Sequence, residues 1–342
     1  MYPIIVPSLL VVAFANLAAA APSSGCGASS DVPALETRIT VELAKNKTRS
    51  FMYWLPPKYD PETPAPVILS YHGIRQSPAK QANLDWFGDT MYNQNYIAVY
   101  PQAVKAPGSD EVMWQGPKQA TQDDVTFTMD ILDQLEEDFC IDTERIYASG
   151  KSEGAGFVGV LACNATSNAR FAAYAPVSGA FYPGNNDEST KGCEKPVPIP
   201  CEPERCNIPF LEFHGGADFL APFDGGLQRH ECLPDIRDYM SEWAVRDGLS
   251  ADPVYQYNLT SAATVYKYDE DGLVTFVYDG DTIGHDWPWT VENPDTVRAH
   301  SRPASFNATS YIFEWFANYT LASTDGCNST DSKISVVVHW GY

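Results

Sequence analysis

Residues Arg145 to Leu161 constrain this chain more than any other stretch. Arg145-Ile146-Tyr147-Ala148-Ser149 reads as a short buried strand, and Gly150-Lys151-Ser152-Glu153-Gly154 follows it without a break. Ala155-Gly156-Phe157-Val158-Gly159-Val160-Leu161 then reads as a helix of small and apolar residues. A strand that enters a helix through G-x-S-x-G leaves the central serine on strained backbone, lifted clear of the sheet. The helix N-terminus then points at any anion formed on that serine. The pentapeptide alone is a weak signal, and its flanks make it specific. The competing reading is a Gly-rich turn with no chemistry.

Length, charge and cysteines bound the rest. The chain has 342 residues, ordinary for a single α/β domain with insertions. Its 44 acidic and 22 basic residues give a formal net charge of -22. Such a surface repels phosphate backbones and anionic membranes, so neither nucleic acid nor a membrane is an expected partner. Met1 to Ala20 is apolar and ends in Leu17-Ala18-Ala19-Ala20, which reads as a signal peptide over residues 1–20, although no Lys or Arg precedes the apolar run. The expectation is a secreted, extracellular protein. Eight cysteines, Cys26, Cys140, Cys163, Cys193, Cys201, Cys206, Cys232 and Cys327, suit four disulfides. Zinc is the weaker alternative, since no C-x-x-C pair is present. Sequons stand at Asn46, Asn164, Asn258, Asn307, Asn318 and Asn328. No cofactor or metal is expected.

In chain order, strands are expected at Arg38 to Leu43, Arg49 to Leu55, Val67 to Tyr71, Tyr96 to Tyr100, Phe171 to Ser178, Pro209 to Phe213 and Val274 to Tyr278. Thr121-Gln122-Asp123-Asp124 resembles a capping box that opens a helix to about Asp138. Asp235 to Asp247 and Ser305 to Tyr319 read as further helices, and Tyr182 to Asn207 as a loop stapled by disulfides. The alternation predicts an α/β fold with a mainly parallel central sheet flanked by helices. A single domain over residues 21–326 is expected. Residues 327–342 form a tail outside this pattern, with a strand-like run at Lys333 to Trp340.

Three candidates for chemistry follow strands in the order Ser152, Asp218, His285. His285 would take the Ser152 proton, and Asp218 would fix the imidazole tautomer. Asp224 and Asp286 are rivals for the acid. His214 also ends a strand. The amides of Glu153 and of Gly73 or Ile74 are the candidate oxyanion donors. Lys151 and Glu153 read as the variable positions of the elbow. Asp123 and Asp124 read as a helix start better than as glycosidase carboxylates. Trp86, Trp114, Tyr182 and Trp287 fall on loops and are candidate walls of a substrate site, although most loop aromatics pack locally and Trp287 reads first as a packing residue that fixes its loop.

These motifs together carry a resemblance. Val67 to Gly73 leading into Gln76-Ser77, Thr121 to Val125, Gly150 to Gly154, His214 to Asp218 with Pro222 beyond, and Gly284 to Pro288 resemble an esterase group of the α/β-hydrolase superfamily. That group contains secreted feruloyl esterases, acetyl xylan esterases and polyhydroxybutyrate depolymerases. The likeness runs from about Cys26 to Phe316. Ser-Gly-Cys-Gly around Cys26 and Asp138-Phe139-Cys140-Ile141-Asp142 are most similar to the fungal feruloyl esterase branch. The resemblance implies a serine nucleophile at Ser152 with Asp218 and His285 as partners. It implies hydrolysis of hydroxycinnamoyl esters of plant cell-wall polysaccharide or its oligosaccharides. The alternatives are polyhydroxybutyrate depolymerase, acetyl xylan esterase, or a non-catalytic secreted glycoprotein of the same fold.

Overall fold

The computed structural model describes residues 20–28, 33, 35–45, 48–184, 192–193, 195–280, 283–299 and 301–324. The expected leader before residue 20, Asn46, Cys327, Asn328 and the strand-like run in the tail fall outside these residues.

Apolar runs become buried strands. In chain order the strands are β1 (Arg38–Glu42), β2 (Ser50–Trp54), β3 (Ala65–Tyr71), β4 (Ile97–Pro101), β5 (Val104–Lys105), β6 (Val112–Met113), β7 (Ile141–Lys151), β8 (Ala173–Val177), β9 (Phe210–Gly215), β10 (Gly226–Gln228), β11 (Glu231–Leu233), β12 (Tyr255–Asn258), β13 (Ala263–Lys267) and β14 (Val274–Asp279). The helices are α1 (Pro78–Asp85), α2 (Asp124–Asp138), α3 (Glu153–Cys163), α4 (Ala165–Asn168), α5 (Ile236–Arg246), α6 (Pro294–Ala299), α7 (Ala308–Phe316) and α8 (Leu321–Thr324).

Ten strands form one sheet in the order β1-β2-β4-β3-β7-β8-β9-β14-β13-β12. The strands from β4 to β14 run parallel, and antiparallel pairs close both edges. Side chains alternate across each central strand, so both faces are buried. Val67, Leu69 and Tyr71 of β3 pack with α2, α3 and α5, whereas Ile68 faces the layer holding α1 and α7. The sheet is therefore a slab between two helical layers, with the elbow in its centre.

Several elements depart from expectation. Helix α2 is capped by Asp123, whose carboxylate accepts from the Thr126 amide at 2.9 Å and its hydroxyl at 2.6 Å, so the cap is not Thr121. A hairpin, β12–β13, extends the sheet beyond β14. Helix α1 carries only a weak apolar stripe and was not apparent in the pattern; Pro78 starts it. Three disulfides join cysteines among the described residues: Cys26–Cys140 ties the lead-in to the start of β7, Cys163–Cys201 ties the end of α3 to the insertion, and Cys193–Cys232 ties the insertion to β11. Cys206 is disulfide-bonded as well.

Asp124 is buried and paired with Arg49 at 2.7 Å, and its second oxygen accepts from the Gln115 amide at 2.7 Å. Arg49 also lies 3.6 Å above the Phe127 ring. Asp123 and Asp124 thus cap a helix and close an ion pair, which accounts for both carboxylates without catalysis. Removing one partner of such a pair strands the other charge in the core. Arg49→Met is expected to lower stability by about 3–5 kcal/mol, read from urea unfolding at neutral pH; a loss under about 1 kcal/mol would show that Asp124 is solvated or held by other groups.

Candidate active site

The elbow is a consequence of crowding. Strand β7 lies between β3 and β8, and α3 must leave it at once to pack back on the sheet. A Cβ on Gly154 would lie 2.2 Å from the Tyr71 carbonyl oxygen and 2.5 Å from that of His72. A Cβ on Gly150 would lie 2.8 Å from the Tyr71 oxygen. Only glycine permits this crossing. Ser152 sits at φ 60°, ψ -121°, a strained conformation. It is held there by three hydrogen bonds. Its amide donates to Val177 at 3.0 Å, and its carbonyl accepts from Gly156 at 2.9 Å and Ala180 at 3.0 Å.

The turn after β3 is fixed by a buried imidazole. The Ala103 amide donates to His72 Nε2 at 3.2 Å, which leaves the proton on Nδ1, and Nδ1–H donates to the Gly73 carbonyl at 2.8 Å. Burial pulls the His72 pKa down to about 4, so the ring stays neutral. In a trans peptide the N–H opposes the C=O. With the Gly73 carbonyl turned to His72, the Ile74 amide faces away from that ring. Trp114 braces both halves of the site: Nε1–H donates to the His72 carbonyl at 2.8 Å, and its amide donates to Glu153 Oε1 at 2.9 Å. The Ile74 and Glu153 amides have no acceptor among the described residues.

The structure brings Asp218 and His285 together across the ends of β9 and β14. His285 Nδ1 lies 2.7 Å from Asp218 Oδ2, while Asp218 Oδ1 accepts from the amides of Leu220 and Ala221, each at 2.8 Å. The rivals have other partners. Asp224 is exposed and paired with Arg237, and Asp286 accepts from the Gly284 amide and from Ser301. Behind Asp218 lies His214. Its Nδ1 faces Glu212 at 2.9 Å and its Nε2 faces the Ala221 carbonyl at 2.7 Å, with Asp218 at 3.5 Å. Both ring nitrogens have acceptors, so the ring is an imidazolium. Burial opposes that charge, but Glu212 and Asp218 outweigh it and raise the pKa to about 9. Burial also pushes the Asp218 carboxyl up, yet His285 and His214 hold it below the usual carboxylate range.

Ser152 and His285 open onto one cavity of about 340 Å³, which Gly73, Ile74, Leu84, Leu220, Pro294 and Arg298 also line. Neither Ser152 Oγ nor His285 Nε2 has a hydrogen-bond partner among the described residues. Such contacts commonly tighten only when substrate is bound. Lys151, one residue before the serine, is nearly buried. It donates to the His285 carbonyl at 3.0 Å and pairs with Asp295 of α6 at 2.9 Å. Burial and the Lys151 charge both lower the His285 pKa, outweighing Asp218. Glu153 is buried too, and burial pushes its carboxyl up to about 8. Lys151 and Glu153, read from sequence as the variable positions of the elbow, both have buried, hydrogen-bonded side chains. His214 was noted only as ending a strand, and Asp295 was not singled out at all.

The expected aromatic walls are elsewhere. Trp114 is fully buried and stacks on Phe157, and Trp287 is fully buried with Nε1–H on Thr309. Trp86 packs against Tyr92 and Trp289. Tyr182 packs on Ala180, Ala221 and Leu233 and faces a different cavity, beside Phe181 and Tyr239. Trp114 and Trp287 are enclosed packing residues, and among the described residues none of the four, nor any other Phe, Tyr or Trp, lines the cavity at Ser152.

Comparison with known proteins places this arrangement. No family model matches the chain. Feruloyl esterase D of Neurospora crassa is 30% identical over 188 residues, covering 52% of this chain and 60% of that protein. Feruloyl esterase B of Piromyces equi is 24% identical, covering 60% of this chain and 37% of that protein. The alignments thus span less than two thirds of the length of either relative. The probable feruloyl esterase C of Aspergillus oryzae is 27% identical over 297 residues, covering 85% of this chain and 94% of that protein. The solved acetyl xylan esterase from Aspergillus awamori superposes with a TM-score of 0.55 at 14% identity, covering 82% of this chain and 99% of that one, a likeness of fold. The sheet order and this likeness show an α/β-hydrolase fold, and the sequence is similar to those of feruloyl esterases.

Proposed function

We propose that the protein is a secreted serine esterase acting on feruloyl esters of plant cell-wall polysaccharide. One observation carries the catalytic part: a strained Ser152 and an Asp218-bound His285 open onto the same cavity, beside two amides with no acceptor. In this reading Ser152 Oγ attacks the ester carbonyl while His285 Nε2 takes its proton. The Glu153 and Ile74 amides hold the oxyanion. His285 then protonates the departing alcohol, and water repeats the sequence to free the acid and restore Ser152. Asp218 holds the ring and stays ionised throughout.

The feruloyl assignment rests on the named relatives and on the resemblance at Cys26 and Asp138 to Asp142. A second reading, an acetyl ester as substrate, is favoured by the cavity's aliphatic lining of Ile74, Leu84, Leu220 and Pro294. Secretion is supported by the apolar leader and by the disulfides. No described helix is long and apolar enough to cross a membrane. Of the sequons, Asn258 and Asn318 are exposed, whereas Asn164 and Asn307 are partly buried helix caps.

Ser152→Ala is expected to lower kcat by roughly 10³ to 10⁶, with His285→Ala adding little in the double variant. Asp218→Asn should cost on the order of 10⁴ at neutral pH. Near-normal hydrolysis by purified Ser152→Ala would end the catalytic reading. His285 must be neutral to act as base, and its pKa is lowered from the usual value. So kcat/KM should fall on the acid side with a midpoint below about 6.5; a midpoint above it would contradict that electrostatic environment. The substrate is tested by kcat/KM for methyl ferulate, a matched acetyl ester and a hydroxybutyrate trimer. A preference of about tenfold or more for either aliphatic ester would replace the feruloyl assignment and leave the catalytic residues in place.

A further inference from the structure

The elbow and the His285 loop are 134 residues apart in sequence and meet through one side chain. Lys151 leaves the end of β7 and turns its ammonium into the protein, where it donates to the His285 carbonyl at 3.0 Å and pairs with Asp295 Oδ2 at 2.9 Å. Its side chain is 5% exposed and that of Asp295 is 9% exposed, so the pair is largely buried where it borders the cavity at Ser152. The same Asp295 oxygen accepts from the Trp287 amide at 3.1 Å, two residues past His285. Asp295 Oδ1 meets Arg298 at 3.1 Å. Lys151 and Asp295 therefore grip the 285–287 loop at two backbone points, one on each side of Asp286.

A buried lysine in a tight turn needs a reason. Placing an ammonium out of water is unfavourable unless a counter-ion and acceptors replace the solvent. A hydrophobic residue would fit a buried elbow with no such demand. We propose that Lys151 is a positioning residue: clamped by Asp295, it carries the His285 backbone and locks that loop onto the nucleophile elbow. The inference rests on the reading of Ser152 and His285 as the catalytic pair. It adds the device that holds them in register, because the Ser152 backbone and the Lys151 side chain belong to adjacent residues.

The clamp also places a fixed positive charge near the imidazole. The groups around His285 are Lys151 from the elbow, Asp218 from the β9 loop with the His214 imidazolium behind it, and Asp295 with Arg298 from α6. Asp286, next in sequence, directs its carboxyl to the Gly284 amide and to Ser301. Lys151 disfavours the imidazolium, whereas Asp218 and Asp295 favour it. Removing either member of the clamp should thus move the His285 titration in opposite directions. A residue that only filled space would not do this.

The test is a set of three variants, Lys151→Met, Asp295→Asn and the two combined. Each is assayed for kcat and KM across pH, and His285 is titrated by NMR in an inactive Ser152→Ala background. Lys151→Met should lower kcat about 10- to 100-fold with little change in KM and move the His285 midpoint up by about half to one unit. Asp295→Asn should move it down. The double variant leaves no lone buried charge, so it should fold with a Tm near that of the parent and still show the reduced kcat. Midpoints that stay put or move the same way in both single variants would overturn the proposal, as would a double variant with the parent's kcat. The NMR titration does not depend on turnover, so the clamp and the catalytic reading can fail separately.

Discussion

The structure depends on one close crossing. Helix α3 leaves β7 so near to β3 that the Tyr71 and His72 carbonyls occupy the space where a Cβ of residue 154 would stand. This contact sets the angle of the elbow and so the height of Ser152 above the sheet. The strain at Ser152 is then held by hydrogen bonds from neighbouring strand ends, at Val177 and Ala180. Those bonds exist only when β7 and β8 are in register. The serine's position is thus a property of the sheet as a whole, which is how a rigid scaffold fixes a reactive side chain to within fractions of an ångström.

Around this crossing the protein has buried ionisable groups and assigned each a different state. His72 is neutral because burial outweighs its single carbonyl partner. His214 is charged because two acidic neighbours outweigh burial. Asp218 lies between two imidazoles and stays ionised. Lys151 and Asp295 neutralise one another. The difference lies in the partners, since all these groups are largely removed from water. For the proposed reaction such a site would be pre-organised, since few of its dipoles or charges would need to turn as an ester carbonyl developed negative charge.

How much of this was legible in the sequence depends on distance along the chain. Ser152, Asp218 and His285 each follow a short apolar strand, and a turn after a strand is a local pattern. The central strands and α2, α5 and α7 were likewise visible as runs or periodicities. Helix α1 was hidden because its buried positions include Gln81 and Asp85, which satisfy each other and Ser70 by hydrogen bonds. Hairpin β12–β13 was hidden because every residue of β12 is exposed, so no alternation marks it. Trp114 misled because loop position says nothing about where a ring points. Asp295 carries no local signal; its meaning comes only from the lysine that the fold brings to it.

Glu153 gives the site an upper boundary. Burial pushes its carboxyl up to about 8, with Oε1 on the Trp114 amide and Oε2 without a partner among the described residues. In the unfolded chain the same group ionises near pH 4.3. Between those two values the unfolded state binds fewer protons than the folded one, so each rise in pH through that interval takes stability from the fold. Above it, a buried anion would form at the first residue of α3, beside the amide proposed to receive the oxyanion. Two negative charges would then compete for one helix N-terminus. Proton linkage at a single carboxyl thus ties both the durability of the fold and the receptivity of the elbow to a pH below about 8.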